Sequence, residues 1–369
     1  MIIRKEVLIW LRILESRDNM KKLLIIIFCL FISGCNNYRE LNNIAVVSAL
    51  GIDYKDNMYE VSVLVKDNTK DGEDTTSIYS YEGKSLDEAI KRIGLLVSKT
   101  LYFIDLNVLV VSERATSRLQ SIMDYLSREN NVGINFYILC DNNFKDSFKL
   151  MQDNDNVYGD YVKGVLQDNY NNVVRFKYTP FLQKFLSPYY DVIMPVGYIS
   201  DDNYLIDKAI IFSDKDVVGT IGFEDIQIYN ILNNSNITYL FSSSIDDKDF
   251  TFKAMKVKSK ISFDNDFIIK IDVNGILDEM DDIDLDDKET VQEITDIINK
   301  VINDKTKEFV SKLILNNSDI LGFKKVYYNK RRSKLESISG VDYQVKVKVS
   351  LNRKGLIFYS LGGENEKAR

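Results

Sequence analysis

Apolar residues recur along this chain in two spacings, every second position and every third or fourth position. The first spacing is typical of a half-buried strand, and the second of a helix with one face on a core. In the first half of the chain the two spacings alternate after an initial hairpin, which predicts a mixed sheet with helices packed on it. The predicted strands are residues 44–53, 58–66, 78–81, 106–112 and 134–140, and the predicted helices are 86–98 and 116–127.

The pattern weakens between residues 142 and 200 and becomes clear again after residue 203. The longest predicted helix begins near Asp286 and Asp287, whose carboxylates suit the positive end of a helix dipole, and continues to about residue 309. The other predicted helices are 144–151, 161–167, 179–186 and 223–232, and the strands are 192–198, 205–212, 217–221, 237–242, 250–263, 267–273 and 341–351.

These elements predict an α+β protein of several domains, with mixed and antiparallel sheets, packed helices and one long helix in the C-terminal domain. Asp201, Asp202 and Asn203 interrupt the pattern and mark the predicted boundary. The predicted parts are an N-terminal extension with a signal peptide (1–34), an N-terminal α+β domain (35–200), a C-terminal α+β domain (201–361) and a disordered tail (362–369). Whether residues 141–200 form a separate small part stays open.

The start of the chain carries the order of a secretory signal peptide. Lys21 and Lys22 precede an apolar run over residues 23–32, and Ser33 and Gly34 lead to Cys35. The run is short for a membrane span, which needs about 20 apolar residues. Its ending resembles a bacterial lipobox, so we expect Cys35 to receive a diacylglycerol and become the new N-terminus. A buried core strand or helix is the alternative interpretation of this run.

Residues 1–19 do not fit that order, because charged side chains surround an apolar patch where a short basic region is expected. We therefore expect translation to start at Met20, although the sequence alone does not decide between Met1 and Met20.

Charge and length restrict the function classes. The 369 residues carry a net charge of −7, and because residues 1–34 hold six Lys/Arg against three Asp/Glu, residues 35–369 are close to −10. Such an acidic body has no electrostatic footprint for nucleic acid and would be repelled by anionic lipid head groups. The predicted tether, and not net charge, would hold the protein at a membrane.

Histidine is absent, which excludes histidine-based triads and the commonest zinc ligand. Of the three cysteines, Cys29 leaves with the signal peptide and Cys35 is the predicted lipid site, so Cys140 remains alone and no intramolecular disulfide is expected. Cys140 lies in an apolar run and is predicted to be a small buried core residue.

Carboxylates are the remaining candidates for catalysis or a calcium site. The acidic run at 281–287 lacks the glycine and the distal glutamate of an EF-hand loop, so a solvated loop ending in a helix cap is expected. Asp53 is interpreted as a turn residue of the first hairpin, and Ser85 and Glu88 as a capping box. No phosphate loop or nucleophile elbow occurs, and we predict no catalytic residue, cofactor or metal. The carboxylates considered are Glu40, Asp53, Asp246, Asp247, Asp249, Asp281, Asp282, Asp284 and Asp286.

Four stretches, in order, resemble the Ger(x)C family, the lipoprotein C subunits of spore germinant receptors. Asn36-Asn37 stands where the family has Trp-Asp. The stretches are Cys35 with Arg39-Glu40-Leu41-Asn42 and Gly51-Ile52-Asp53, then Ala209–Phe212 with Val218-Gly219, then Ser318-Asp319-Ile320-Leu321-Gly322-Phe323, and finally residues 345–355.

The resemblance implies a non-catalytic subunit on the outer face of the inner spore membrane, required for nutrient-triggered germination. It also implies assembly with an integral-membrane A subunit and a transporter-like B subunit. The alternatives are a generic membrane-tethered lipoprotein that binds a solute or cell-wall fragment, and a carboxylate hydrolase. The sequence does not identify the germinant, the partner surfaces or the stoichiometry.

Overall fold

A computed structural model describes Lys21 and residues 44–68, 74–168, 172–235, 239–245, 248–280 and 287–351. Predictions that fall on the signal peptide, on Cys35, on the acidic run 281–286 or on the tail lie outside the described residues. Residues 45–369 cluster as one compact unit, and residues 1–44 as another.

Nine strands form the larger sheet, in the order β3-β2-β1-β5-β6-β7-β8-β9, with β4 paired to β1. Strands β1, β5, β6 and β7 run parallel, whereas the pairs toward both edges are antiparallel. The strands are β1 Ile44–Lys55, β2 Met58–Asn68, β3 Asp74–Gly83, β4 Thr100–Tyr102, β5 Val108–Val111, β6 Tyr137–Cys140, β7 Ile193–Ser200, β8 Asn203–Ser213 and β9 Asp216–Ile221.

The central strands of this sheet are buried on both faces. In β5, Leu109 and Val111 face one apolar cluster, and Val108 and Val110 face the other. Successive strand residues point to opposite faces, so both faces of these strands are apolar. Helices therefore cover the sheet on both sides. The helices are α1 Leu86–Val97, α2 Leu119–Arg128, α3 Phe144–Asp153, α4 Tyr158–Gln167, α5 Tyr178–Phe185 and α6 Phe223–Leu232, with α3 and α4 on the side of Val108.

A second sheet of four strands, in the order β10-β11-β12-β13, packs against the long helix. The side chains of Asn299 and Asn303 hydrogen-bond the backbone of the last strand at Val349 and Val345. These two hydrogen bonds hold the long helix alongside the last strand. The elements are β10 Tyr239–Ile245, β11 Lys248–Phe263, β12 Phe267–Met280, α7 Lys288–Leu315, α8 Phe323–Arg331 and β13 Tyr343–Leu351.

The predicted α+β class, with mixed sheets and one long C-terminal helix, is confirmed. Asp287 caps α7 by accepting hydrogen bonds from the N–H groups of Glu289 and Thr290. Ser85 caps α1 by accepting from the N–H of Glu88. Two elements, β4 and α8, were not predicted from the sequence.

The interruption at residues 201–203 is a tight turn between two paired strands. Asp201 and Asp202 have φ angles of 47° and 59° and connect β7 to β8 within the larger sheet. Two consecutive residues with positive φ are typical of a two-residue hairpin turn. The division of the chain into domains at residues 200 and 201 stays a prediction.

Candidate functional site

The lipid-attachment prediction concerns Cys35, which lies outside the described residues. No helix in the described part of the chain is long and apolar enough to cross a membrane. Cys140 lies inside the core, as predicted, and its burial raises the pKa of the thiol, so that this cysteine stays protonated and unreactive.

Polar residues collect at the carboxyl edge of the parallel strands, where open α/β sheets commonly hold ligands. Asp53 lies near the end of β1, within the strand and not in the turn, which is formed by Asp56 and Asn57. The interpretation of Asp53 as a turn residue was therefore wrong. Its carboxylate accepts hydrogen bonds from Ser112 Oγ, which follows β5, and from the Arg114 guanidinium.

Burial alone would raise the pKa of Asp53. The hydrogen bonds from Arg114, Ser112 and the N–H of Tyr54 outweigh it, and the pKa lies below its ordinary value. Asp53 is thus an ionised carboxylate with its acceptor positions engaged, which suits a role in holding the strand ends together.

A second buried carboxylate, Asp141, follows β6 and anchors a network with two tyrosines. It accepts hydrogen bonds from Ser147 Oγ at 2.8 Å, from the N–H of Asn143 at 2.8 Å and from Tyr204 Oη at 2.9 Å. The hydroxyl of Tyr204 also bonds that of Tyr158. Burial raises the pKa of Asp141 and raises the pKa of both tyrosines well above the ordinary value.

The Asp141 network joins elements far apart in the chain, and its members are closed off from solvent. Gly197 of β7 makes room for it, because a methyl group at that position would overlap the Tyr204 hydroxyl. A network whose buried members bond one another stabilises a unique packing. We assign it a structural role.

Asp249 is the remaining candidate carboxylate that the structure describes. Within the described ranges, no three His, Cys, Asp or Glu residues are grouped to hold a metal ion. Asp249 lies exposed on β11. Glu40, Asp246, Asp247, Asp281, Asp282, Asp284 and Asp286 lie outside the described residues.

The segment 318–323 forms the tight connection between α7 and α8. Asp319 is fully buried and accepts hydrogen bonds from the N–H groups of Gly322, Phe323 and Lys324, at 2.7–2.8 Å. Its carboxylate therefore caps α8 and satisfies donors that the first turn of a helix leaves open.

Asp319 also connects the two halves of the chain. Its backbone N–H donates to Asp191 Oδ2, just before β7, and its carbonyl accepts from the N–H of Asp191. The buried ammonium of Lys324 lies 3.8 Å from the same carboxylate. We call Asp191, Asp319 and Lys324 the buried clamp.

Burial raises the pKa of Asp319 to about 6, a rise that its three backbone hydrogen bonds only partly offset and that the neighbouring Asp191 increases. The clamp borders a cleft of about 270 Å³ next to the β8–β9 turn. The cleft is lined by Phe185, Leu186, Ser187, Pro188, Tyr190, Asp191, Val192, Asp214, Lys215 and Lys324.

Comparison with known families gives two consecutive matches. The model of the spore germination protein N-terminal domain matches residues 37–197, and that of the spore germination B3/GerAC-like C-terminal region matches residues 207–355. The chain belongs to the Ger(x)C family. Neither matched family is described as an enzyme family. The buried clamp joins Asp191, in the first matched region, to Asp319 and Lys324, in the second.

Two Bacillus proteins resemble this Ger(x)C chain over most of its length. Spore germination protein KC of Bacillus subtilis (strain 168) is 23% identical over 92% of this chain and 97% of its own. Spore germination protein GerQC of Bacillus cereus is 21% identical over 82% of this chain and 89% of its own. A crystal structure of the GerBC protein shares the fold, with a TM-score of 0.53 and 12% identity over 82% of this chain and 96% of that one.

Sequence reasoning found Asp53 and the 318–323 segment but missed their partners Arg114, Asp191 and Lys324. The sequence did contain one signal for the polar cluster at the strand ends. Asp53, Ser112 and Asp141 each lie at the end of an apolar strand, and the carboxyl ends of parallel strands share one edge.

Proposed function

We propose that this protein is a non-catalytic, lipid-anchored subunit of a spore nutrient germinant receptor, required for nutrient-triggered germination. The observation that carries the proposal is the ordered pair of family matches, of which the first begins two residues after Cys35. The engaged state of Asp53, Asp141 and Asp319 supports a non-catalytic role, because each carboxylate bonds several donors.

In this proposal Cys35 carries the lipid and places the protein on the outer face of the inner spore membrane. Its partners are the integral-membrane A and B subunits of the receptor. A single acyl chain holds a protein only marginally, whereas two or three chains anchor it stably at about 0.8 kcal/mol per buried methylene. The diacylglycerol expected at a lipobox cysteine meets that requirement.

The test is Cys35→Ala in the native host, with Cys29→Ala as the matched control because Cys29 lies inside the same leader. We expect the Cys35 variant to leave the membrane fraction and to lose germination to nutrients, while germination by a receptor-independent trigger persists. The control should behave as wild type. If the Cys35 variant leaves the membrane and nutrient germination is unchanged, the receptor role is wrong.

A tethered solute-binding lipoprotein is the second candidate, and the cleft beside the buried clamp is the observation in its favour. The cleft presents Lys215 and Lys324 together with Asp191 and Asp214. A bound solute would raise the melting temperature by mass action. A survey of small charged solutes that finds such a rise, abolished by Lys324→Met, would support this candidate over the receptor subunit.

A further inference from the structure

The outer face of the small sheet is crowded with lysines. Three of them, Lys260, Lys270 and Lys346, are direct cross-strand partners on β11, β12 and β13. The next row holds Lys258, Asp272 and Lys348, and Lys256 pairs with Asn274 beyond it. We call Lys256, Lys258, Lys260, Lys270, Lys346 and Lys348 the lysine face.

Strand alternation decides which way this face points. Ile269, Ile271 and Val273 of β12 are buried in the core on the opposite side, together with Val349 of β13. Lysines at the intervening positions must then point to solvent, and all six are exposed. The register of the sheet therefore places all six lysines on its solvent side.

The charge of this face is unbalanced. Like charges directly opposite one another destabilise a sheet, yet three lysines occupy one row. Among the described residues, none of the six forms an ion pair with a carboxylate, and Asp272 is the acidic side chain placed among them. The rest of the protein is acidic, because the whole chain has a net charge of −7.

We propose that the lysine face binds an anionic lipid surface through its headgroup phosphates. Strands lie about 4.8 Å apart and alternate residues about 6.8 Å apart along a strand, so the ammonium groups form a two-dimensional array. Such an array suits a plane of phosphates better than a single extended polypeptide, which would follow one row. Each lysine near an anionic membrane strengthens binding roughly five-fold.

The face would also orient the tethered protein. Residues 36–43 connect Cys35 to β1 and reach about 28 Å at most when extended. The acidic remainder is repelled by anionic lipid while the lysine face is attracted, so the body turns that face to the bilayer. This orienting step rests on the proposed lipid anchor, whereas binding by the lysine face does not.

The test uses the full chain carrying Cys35→Ala, so that no acyl chain contributes. Flotation is measured with vesicles of phosphatidylcholine containing phosphatidylglycerol, and with phosphatidylcholine alone. The variant is Lys260→Gln with Lys270→Gln and Lys346→Gln. The matched control is Lys288→Gln with Lys300→Gln and Lys307→Gln on α7, which changes the net charge equally.

We expect the sheet variant to bind anionic vesicles about 100-fold more weakly than the parent and the α7 control to lose far less. Binding should fall with added salt, and neutral vesicles should not distinguish the variants. Both variants should keep the parent melting temperature, or the sheet variant should exceed it slightly, because row repulsion is relieved.

Equal binding of the sheet variant and the α7 control to anionic vesicles would overturn the proposal. Lysine-dependent binding to soluble polyglutamate, without any preference for anionic vesicles, would overturn it in favour of an acidic protein partner. Neither result would change the outcome of the germination test of Cys35. The proposed receptor function and the proposed lipid binding by the lysine face can therefore fail independently.

Discussion

Two buried aspartates whose pKa values shift in opposite directions show how the environment of a single residue decides its role. Asp53 bonds a guanidinium that neutralises it, and its pKa is lowered. Asp319 bonds three backbone N–H groups, but its burial and the neighbouring Asp191 raise its pKa. The first is a permanent charge at a strand end, and the second is a carboxylate that gains a proton near pH 6.

Asp319→Asn tests this difference through the pH dependence of stability. A raised pKa means that the folded state binds the proton more tightly, so the contribution of Asp319 is full below about pH 4 and is lost as pH rises through about 6. The unfolding free energy of wild type minus variant should therefore fall by up to about 3 kcal/mol between pH 4 and pH 7. Denaturant unfolding at several pH values measures it.

Asp287→Asn is the matched control, because the hydrogen bonds from Thr290 and Glu289 lower the pKa of this exposed cap residue. A lowered pKa contributes stability that is lost as pH falls, so the same difference should rise with pH, and only slightly. A flat difference for Asp319→Asn would show that Asp319 is ionised with an ordinary pKa.

At the scale of elements, the sequence predicts the strands and helices in which apolar residues recur at a regular spacing, and it misses those in which they do not. The β11 and β12 strands were predicted as strand-like runs over residues 250–263 and 267–273, in which apolar residues recur at about every second position. The helix α8 was missed because it is only nine residues long and four of them are Lys or Arg. Its start is stabilised by Asp319, whose backbone N–H bonds a residue 128 positions away, a contact that no local pattern contains.

Gly322→Ala tests how strictly the turn before α8 is defined. Gly322 has φ +84°, and a methyl group there would overlap the Tyr190 ring. Gly340 has φ +76° but open space around it, which makes Gly340→Ala the matched control. We expect about 1 kcal/mol of destabilisation from strain at Gly340, and at least about 2 kcal/mol more at Gly322 because overpacking is added.

Melting temperatures of the two variants measure the contrast. Equal losses would mean that Tyr190 moves aside without cost and that the turn is less tightly packed than described. A loss of stability in Gly340→Ala without one in Gly322→Ala would contradict both the positive φ of Gly322 and its close approach to Tyr190.

At the scale of the whole molecule, the larger sheet runs through the predicted domain boundary. The strand β7 ends at Ser200 and pairs with β8, most of which belongs to the second matched region. The buried clamp adds a second connection between the halves. The sequence showed an interruption at Asp201 and Asp202, and it was interpreted as a domain boundary, because a turn inside one sheet and a linker between two domains share the same polar residues.

A fragment ending at Ser200 tests the predicted division. It exposes the whole β7 edge, and an unpaired apolar edge promotes aggregation. We expect this fragment to aggregate, whereas a fragment ending at Leu232 keeps β8, β9 and α6 and stays more soluble. Size-exclusion chromatography separates the outcomes, and a monomeric, cooperatively folded fragment ending at Ser200 would support the domain boundary.

The last strand has a consequence for the order of folding. The β12 and β13 strands are parallel neighbours, although roughly 60 residues containing α7 and α8 separate them. Closing so long a loop is slow and comes after local helices have formed. Lys346 and Lys348 therefore reach their places beside Lys270 late, and the lysine face is complete only when β13 has paired with β12.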